Sequence, residues 1–264
     1  MSGYIGVGNT ARKVKELYVG VGNTARVVQK AYIGVGNVAR LWYTRGTQLG
    51  SLAVGSSVYF KVNNVRTQWL VVQQGNPSTS IYDSSCDGTW LLMKDIYKER
   101  QWNDSNYNDY AGSTIHSYLN STFLGRLETG VRSAVKQVKI PYRKGAGSSQ
   151  TAATGSNGLS AKIFLLSATE TGFSGSSSYV PTPFGEGANL TYFDSTSKRI
   201  ANLNGSATSW SLRSPNCDGS TMATYIDPKG YLSKVICYTS TGIRPCLILP
   251  KTALTDDNNN VIGG

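Results

Sequence analysis

Few side chains in this sequence are equipped for catalysis. One histidine, His116, is present for any Ser-His-Asp or Cys-His relay. It stands among Ile115, Tyr118 and Leu119 on a helix-like segment, so it reads as a packing residue and not as a general base. Asp218 and Asp227 are the carboxylates a glycoside hydrolase would need as a pair, but nothing in the sequence fixes their separation. Asp104-x-Asn106-x-Asn108 opens like a calcium loop, yet Asp109 takes the required glycine position and Ile115 the bidentate glutamate position. The stretch reads instead as a solvated, helix-capping loop. Cys86, Cys217, Cys237 and Cys246 contain no CxxC and no Cys/His metal spacing, which argues against structural zinc. They read as free, partly buried thiols of a protein made in a reducing cytosol. The expectation is no catalytic residue, no metal and no cofactor.

A recognition surface is the better fit. Residues 210–249 are apolar and rigid at both ends, and polar, aromatic and turn-rich between them. Asn216, Asp218, Thr221, Tyr225, Asp227, Tyr231, Lys234 and Tyr238 are the candidate ligand-binding residues. Tyrosines among Ser, Thr and Asn give large contact area at low rotamer cost. Trp210, Arg213 and Arg244 are expected to hold the framework, the arginines by carbonyl or carboxylate contacts. Ser214-Pro215 is expected to stop any strand ladder there, because proline has no amide to donate.

Several elements must position that segment. Val58–Val62 and Gln68–Val72, with a turn at Asn63-Asn64, predict a hairpin. Trp90–Met93, Ile163–Leu166 and Ile243–Leu249 predict buried strands. Ser113 can cap a first helix with Ile115, Tyr118 and Leu119 on one face, and a second continues from Phe123, Leu124 and Leu127 into Val131, Ala134 and Val135. Residues 144–158 and 172–189 are long Gly/Ser-rich loops, the second carrying Phe173, Tyr179, Phe184 and Glu186.

Charge separates the two ends of the chain. The net +11 over 264 residues is concentrated at the start, where residues 1–50 hold seven Lys/Arg against one Glu. No nucleic-acid-binding pattern accompanies that basic stretch, so an acidic protein partner is favoured over nucleic acid. Charged residues are 16% and glycines 29, the composition of a β- and loop-rich extracellular or virion protein. No signal peptide and no membrane-spanning run is expected.

Residues 4–43 repeat with a period of fourteen: YIGVGNTARKVKEL, YVGVGNTARVVQKA and YIGVGNVARLWY. The GxGxxA string in each copy cannot bind a dinucleotide, since that needs a strand, a turn and a helix over ~30 residues. Gly-Asn between alternating apolar residues predicts type II′ hairpins at Gly8-Asn9, Gly22-Asn23 and Gly36-Asn37. Such a ribbon has no core of its own and must pack on copies of itself or on a partner. The expected organisation is therefore α+β and β-rich. It comprises a hairpin-repeat attachment or oligomerisation module (1–45), a linker (46–56), a main domain (57–250) and a flexible tail (251–264).

WSLRSP (210–215) with GIRPCLIL (242–249), preceded by IFLLSATETGF (163–173), resembles a domain of bacteriophage and prophage tail proteins. It is similar to the C-type-lectin-like fold shared by the formylglycine-generating enzymes and the targets of diversity-generating retroelements. The YIGVGNxAR repeats resemble those at the N-termini of the same tail proteins. The resemblance implies that Val58–Val62 pairs with Leu247–Leu249, and that 216–241 is displayed. It further implies a virion protein recognising a host-surface protein or glycan, assembled with other tail or baseplate proteins as a homo-oligomer, a trimer by expectation. Cys237 and Cys246 do not map onto that fold's catalytic cysteine pair, and the calcium-lectin triplet is missing from the displayed segment. A tail or baseplate component without ligand is the alternative function, and a glycan-degrading enzyme the third.

Overall fold

The computed structural model describes residues 3–262 except 8, 15, 29, 45, 146–150, 174–185 and 217–218. Asp218, Cys217, Tyr179, Phe184 and the first repeat's Gly8 thus lie outside the described residues. The chain is β-rich with short helices, an α+β composition.

Three separate two-stranded hairpins come first: β1 (Tyr4–Val7) with β2 (Thr10–Lys13), β3 (Tyr18–Val21) with β4 (Thr24–Val27), and β5 (Lys30–Val35) with β6 (Val38–Thr44). Gly22 and Gly36 take φ of +60° and +63° at the turns, while Asn23 and Asn37 do not. That places the positive φ where a type II′ turn needs it.

The main domain begins earlier and ends later than the sequence suggests. In the expected linker, β7 (Thr47–Gln48) leads into a 3-10 turn whose Leu49 is fully buried. In the expected flexible tail, β22 (Leu254–Thr255) pairs antiparallel with β7, and Val261 is buried beside Tyr59, its amide donating to the Tyr59 carbonyl. Both expectations are corrected. Leu49, Ala253, Leu254 and Val261 are apolar residues spaced among polar ones, and they fill one edge of the core.

Between those ends lie two five-stranded sheets. The first contains β8 (Ser57–Val62), β9 (Val65–Gln74), β10 (Thr89–Met93), β14 (Ile163–Phe164) and β21 (Cys246–Leu249), in the order β14-β21-β10-β9-β8, all antiparallel. β8 therefore pairs with β9, and β21 with β10 and β14. The expected closing pair of Val58–Val62 with Leu247–Leu249 does not form. The terminal closure is made by β7 and β22 instead. The sheet is covered on both faces. Trp69, Val71, Leu91 and Met93 enter one core, and Leu70, Val72, Trp90 and Leu92 the other. A strand buried on both faces has no need to alternate, which is why β10 reads as an unbroken apolar run.

The second sheet contains β11 (Lys98–Gln101), β17 (Trp210–Pro215), β18 (Met222–Ile226), β19 (Leu232–Ile236) and β20 (Ser240–Ile243), in the order β11-β20-β17-β18-β19. Only β17 and β20 run parallel. The expectation that Ser214-Pro215 stops the ladder is corrected. β17 continues to Pro215, opposite Ala223, because a register shift between Ser211 and Pro215 lets the strand bulge around the residue without an amide. Helix α1 (Thr114–Tyr118), capped by the Ser113 hydroxyl on the His116 amide at 3.2 Å, widens into a π turn over Leu119–Phe123. α2 (Thr129–Ala134) follows. Both cover the first core with Ile115, Leu119, Phe123 and Val131. Two small ladders, β12 (Val138–Ile140) with β13 (Leu159–Ala161) and β15 (Asn202–Leu203) with β16 (Ser206–Ala207), flank the second core.

Candidate functional site

Two buried arginines fix the second sheet. Arg213, on β17, has no exposed surface and uses all five of its N–H donors. Nε donates to the Pro141 carbonyl (2.9 Å). Nη1 donates to the Leu165 carbonyl (2.9 Å) and Glu170 Oε2 (2.5 Å). Nη2 donates to Glu170 Oε1 (2.7 Å) and the Glu186 carbonyl (2.9 Å). Glu170 also accepts from Tyr82 Oη (2.8 Å) and the Ser167 amide (2.9 Å), so the buried pair is fully hydrogen-bonded. Glu186, equally buried, accepts from the Arg143 amide (2.7 Å), and burial raises its pKa against the attraction of Arg213.

Arg244 sits where the chain crosses from β20 to β21, beside the crossing from β10 to β11. Its Nε donates to the Met93 carbonyl (2.9 Å), and its guanidinium lies 5.0 Å from the Trp210 ring centre. Burial lowers its pKa to about 10. Trp210 is fully buried and donates through Nε1 to the Arg199 carbonyl (2.8 Å). Gly242 permits the close β17–β20 contact: a Cβ there would stand 2.6 Å from the Ser209 carbonyl oxygen and 2.7 Å from Ile96.

With Trp210, Leu212, Ile226 and Leu232 turned into the second core, the other face of the sheet carries Ser211, Tyr225, Ser233, Val235 and Thr241. That face is open around Tyr225. A recess of about 370 Å³ is lined by Glu99, Ala207, Thr208, Ser209, Tyr225, Pro228, Val235, Thr239, Ser240 and Thr241. The Thr241 hydroxyl is hydrogen-bonded to that of the buried Ser211. Next to it, across Ser240, a polar recess of about 270 Å³ is lined by Arg100, Gln101, Asp104 and Thr114. The Arg100 guanidinium rests 4.3 Å from the Tyr118 ring centre, and its Nε has no hydrogen-bond partner among the described residues. Chemically, the pair of recesses offers hydroxyls as donors and acceptors, one phenol ring, carboxylates from Glu99 and Asp104, and one guanidinium.

The sequence-derived binding residues do not converge. Tyr225 lines the larger recess. Tyr231 (58% exposed) and Tyr238 (47% exposed) flank opposite ends of β19, a strand of five residues and so about 17 Å long. Lys234, paired with Thr224, belongs to the face opposite Tyr225. Asp227 closes the β18–β19 turn, its Oδ1 accepting from the Lys229 (2.9 Å) and Tyr231 (2.8 Å) amides. Asn216 is buried, and Thr221 is half-buried with its carbonyl bonded to the Cys237 amide. Asn108 of the aborted calcium motif donates to the carbonyls of Asn216, Gly219 and Met222, tying that loop to the base of the displayed segment. Glu99, Thr208, Ser209 and Thr239–Thr241 went unnoticed in the sequence because three separate segments supply them.

His116 packs edge-on to Tyr110 at 5.1 Å between ring centres, and burial lowers its pKa. Cys86, Cys237 and Cys246 are buried free thiols, and burial pushes those of Cys86 and Cys237 up to about 12. Among the described residues, no three His, Cys, Asp or Glu side chains gather as a metal site.

Residues 87–251 match the model of a family described as Domain of unknown function (DUF6273). No curated protein and no solved structure matches the chain.

Proposed function

The chain belongs to the DUF6273 family, and we propose that it is a receptor-binding or adhesion protein of a phage tail. In this reading the hairpins attach or assemble the molecule, and the recess beside Tyr225 takes a host-surface ligand. A polyhydroxylated ligand, a surface glycan, suits the lining better than an apolar one. The observation that carries the reading is the recess itself, whose lining brings the hydroxyl residues Thr208, Ser209, Thr239, Ser240 and Thr241 together with Tyr225 and Glu99. They stand on a sheet whose other face and corner are locked by Trp210, Arg213 and Arg244. Rigid support with adaptable polar contacts is how binding surfaces limit the entropy lost on association. Support for a lectin-like arrangement is the pairing of the short terminal strands β7 and β22, with the β18–β19 hairpin presented between late strands. The resemblance of the repeats and of WSLRSP and GIRPCLIL to tail proteins supports the virion setting.

The test is binding of the intact protein to an array of bacterial surface polysaccharides and to whole cells. Tyr225→Ala should weaken binding by about 1–3 kcal/mol with the unfolding midpoint nearly unchanged. A variant that binds like the parent would move the site off this recess.

A further inference from the structure

The three hairpins repeat one pattern on each of two faces, differing opposite the tyrosine, where Lys13, Val27 and Leu41 stand in turn. In the registers Tyr4 to Val7 on Thr10 to Lys13, Tyr18 to Val21 on Thr24 to Val27, and Tyr32 to Val35 on Val38 to Leu41, each glycine faces an alanine: Gly6 and Ala11, Gly20 and Ala25, Gly34 and Ala39. Strand alternation puts that pair on the same face as the tyrosine two residues before the glycine. The result is a bulky ring beside a bare hollow. The opposite face carries Ile5 with Arg12, Val19 with Arg26, and Ile33 with Arg40.

Nothing inside the described molecule accounts for the glycines. A Cβ at Gly6, Gly20 or Gly34 would meet no atom within 4 Å, and none of the three has the positive φ that demands glycine. Glycine at the centre of a strand weakens it and marks a place where another backbone or ligand comes close. The tyrosines are also uncovered, and to the same degree: Tyr4 57%, Tyr18 53% and Tyr32 58% exposed. Each hairpin is a two-stranded sheet by itself, which is marginal in water without cover.

We infer that the Tyr/Gly/Ala face is an interface between copies of this chain, in which the tyrosine of each hairpin fills the Gly/Ala hollow of a hairpin in another copy. A ring and a hollow on one face are self-complementary, as a two-fold contact between identical chains requires. An occupant that fits all three hollows repeats as they do, every fourteen residues, and the hairpins of a second copy have that repeat. The arginines lie on the far face of each hairpin, so the contact does not press Arg12, Arg26 and Arg40 against their own copies. The inference deepens the assembly half of the proposed function. Its failure would leave the recess at Tyr225, which is read by ligand binding, untouched.

The experiment measures mass by light scattering on the full chain across a concentration series. Gly6→Val, Gly20→Val and Gly34→Val are combined in one variant that fills the hollows. Valine favours strands, so this change does not weaken the hairpins themselves. A second variant fills the same hollows from the opposite strand with Ala11→Leu, Ala25→Leu and Ala39→Leu. A third combines Ile5→Thr, Val19→Thr and Ile33→Thr on the arginine face. The parent and the threonine variant should have at least twice the mass of one chain, and both hollow-filling variants should fall to one chain at the same concentration. A monomeric parent, hollow-filled variants that keep the parent mass, or a threonine variant that dissociates as they do would each overturn the inference.

Discussion

Removing Arg213 tests the framework most severely. Arg213→Met deletes five hydrogen bonds at a position with no exposed surface. Among the described residues it leaves the Glu170 carboxylate, also fully buried, with only Tyr82 and the Ser167 amide as partners. The Pro141, Leu165 and Glu186 carbonyls lose the donor they share. Breaking a buried ion pair from one side costs about 3–5 kcal/mol. Each orphaned acceptor adds about 1–3 kcal/mol where water cannot reach it. A loss of at least ~4 kcal/mol follows, a large part of the ~5–15 kcal/mol that holds a domain folded. Glu170→Met should cost nearly as much. The double variant, which buries no unpaired charge, should be more stable than the sum of the two losses predicts by ~2 kcal/mol or more. Urea unfolding of the four proteins, followed by tryptophan fluorescence, supplies the cycle. A single-variant loss below ~1 kcal/mol, or strict additivity, would refute the reasoning.

Other expectations follow from the same geometry. Trp210→Ala should destabilise by about 3–5 kcal/mol, since it empties a buried site and frees Arg244 of its ring contact; the check is thermal unfolding. Deleting residues 253–264 should cost several kcal/mol, because Leu254 and Val261 are buried and each such side chain contributes about 1.5–3 kcal/mol; an unchanged midpoint would return the tail to a flexible appendage. Glu186 has a folded pKa above its unfolded one, so its contribution is complete below the unfolded value, near 4.5, and is lost as pH rises through the folded value. Glu186→Gln should therefore gain stability on the parent from pH 4 to pH 8, and a gap that does not change with pH would contradict this. Tyr231→Ala should leave glycan binding near the parent value while Tyr225→Ala does not, as titration of both will show.

Local signals were legible in the sequence and long-range ones were not. The β8–β9 hairpin was readable because its turn is local. Asn63 and Asn64 take φ of 51° and 64°, which asparagine tolerates better than most residues. β10 was readable as a short run of large apolar residues, and Ser113 as a cap two residues before the first buried helical position. Strand order was not readable, because β21 neighbours strands that begin more than eighty residues away. The buried tail is hidden in the sequence because DDNNN at 256–260 reads as solvent-loving. In the structure Asp256 accepts from the Asn258 and Asn260 amides and folds that run into a turn, returning Val261 to the core. Glu170 went unmarked in the IFLLSATETGF stretch. A carboxylate four residues after the buried apolar run Ile163–Leu166, in a chain with 16% charged residues, is the available hint of a buried partner for Arg213. The recess was invisible for a related reason: serine and threonine are common throughout the chain, and only the sheet brings these particular ones together.

The central claim is that the open face around Tyr225 binds a surface glycan. Its most direct test is a set of binding isotherms on the same polysaccharide array for the parent, Tyr225→Ala and Ser209→Trp, whose indole would occupy the recess. The parent should bind at least one polysaccharide saturably, Tyr225→Ala should bind it about tenfold or more weakly, and Ser209→Trp should lose it, all three unfolding at similar temperatures. Binding of parental strength by both variants, or no saturable binding by the parent, would contradict the account.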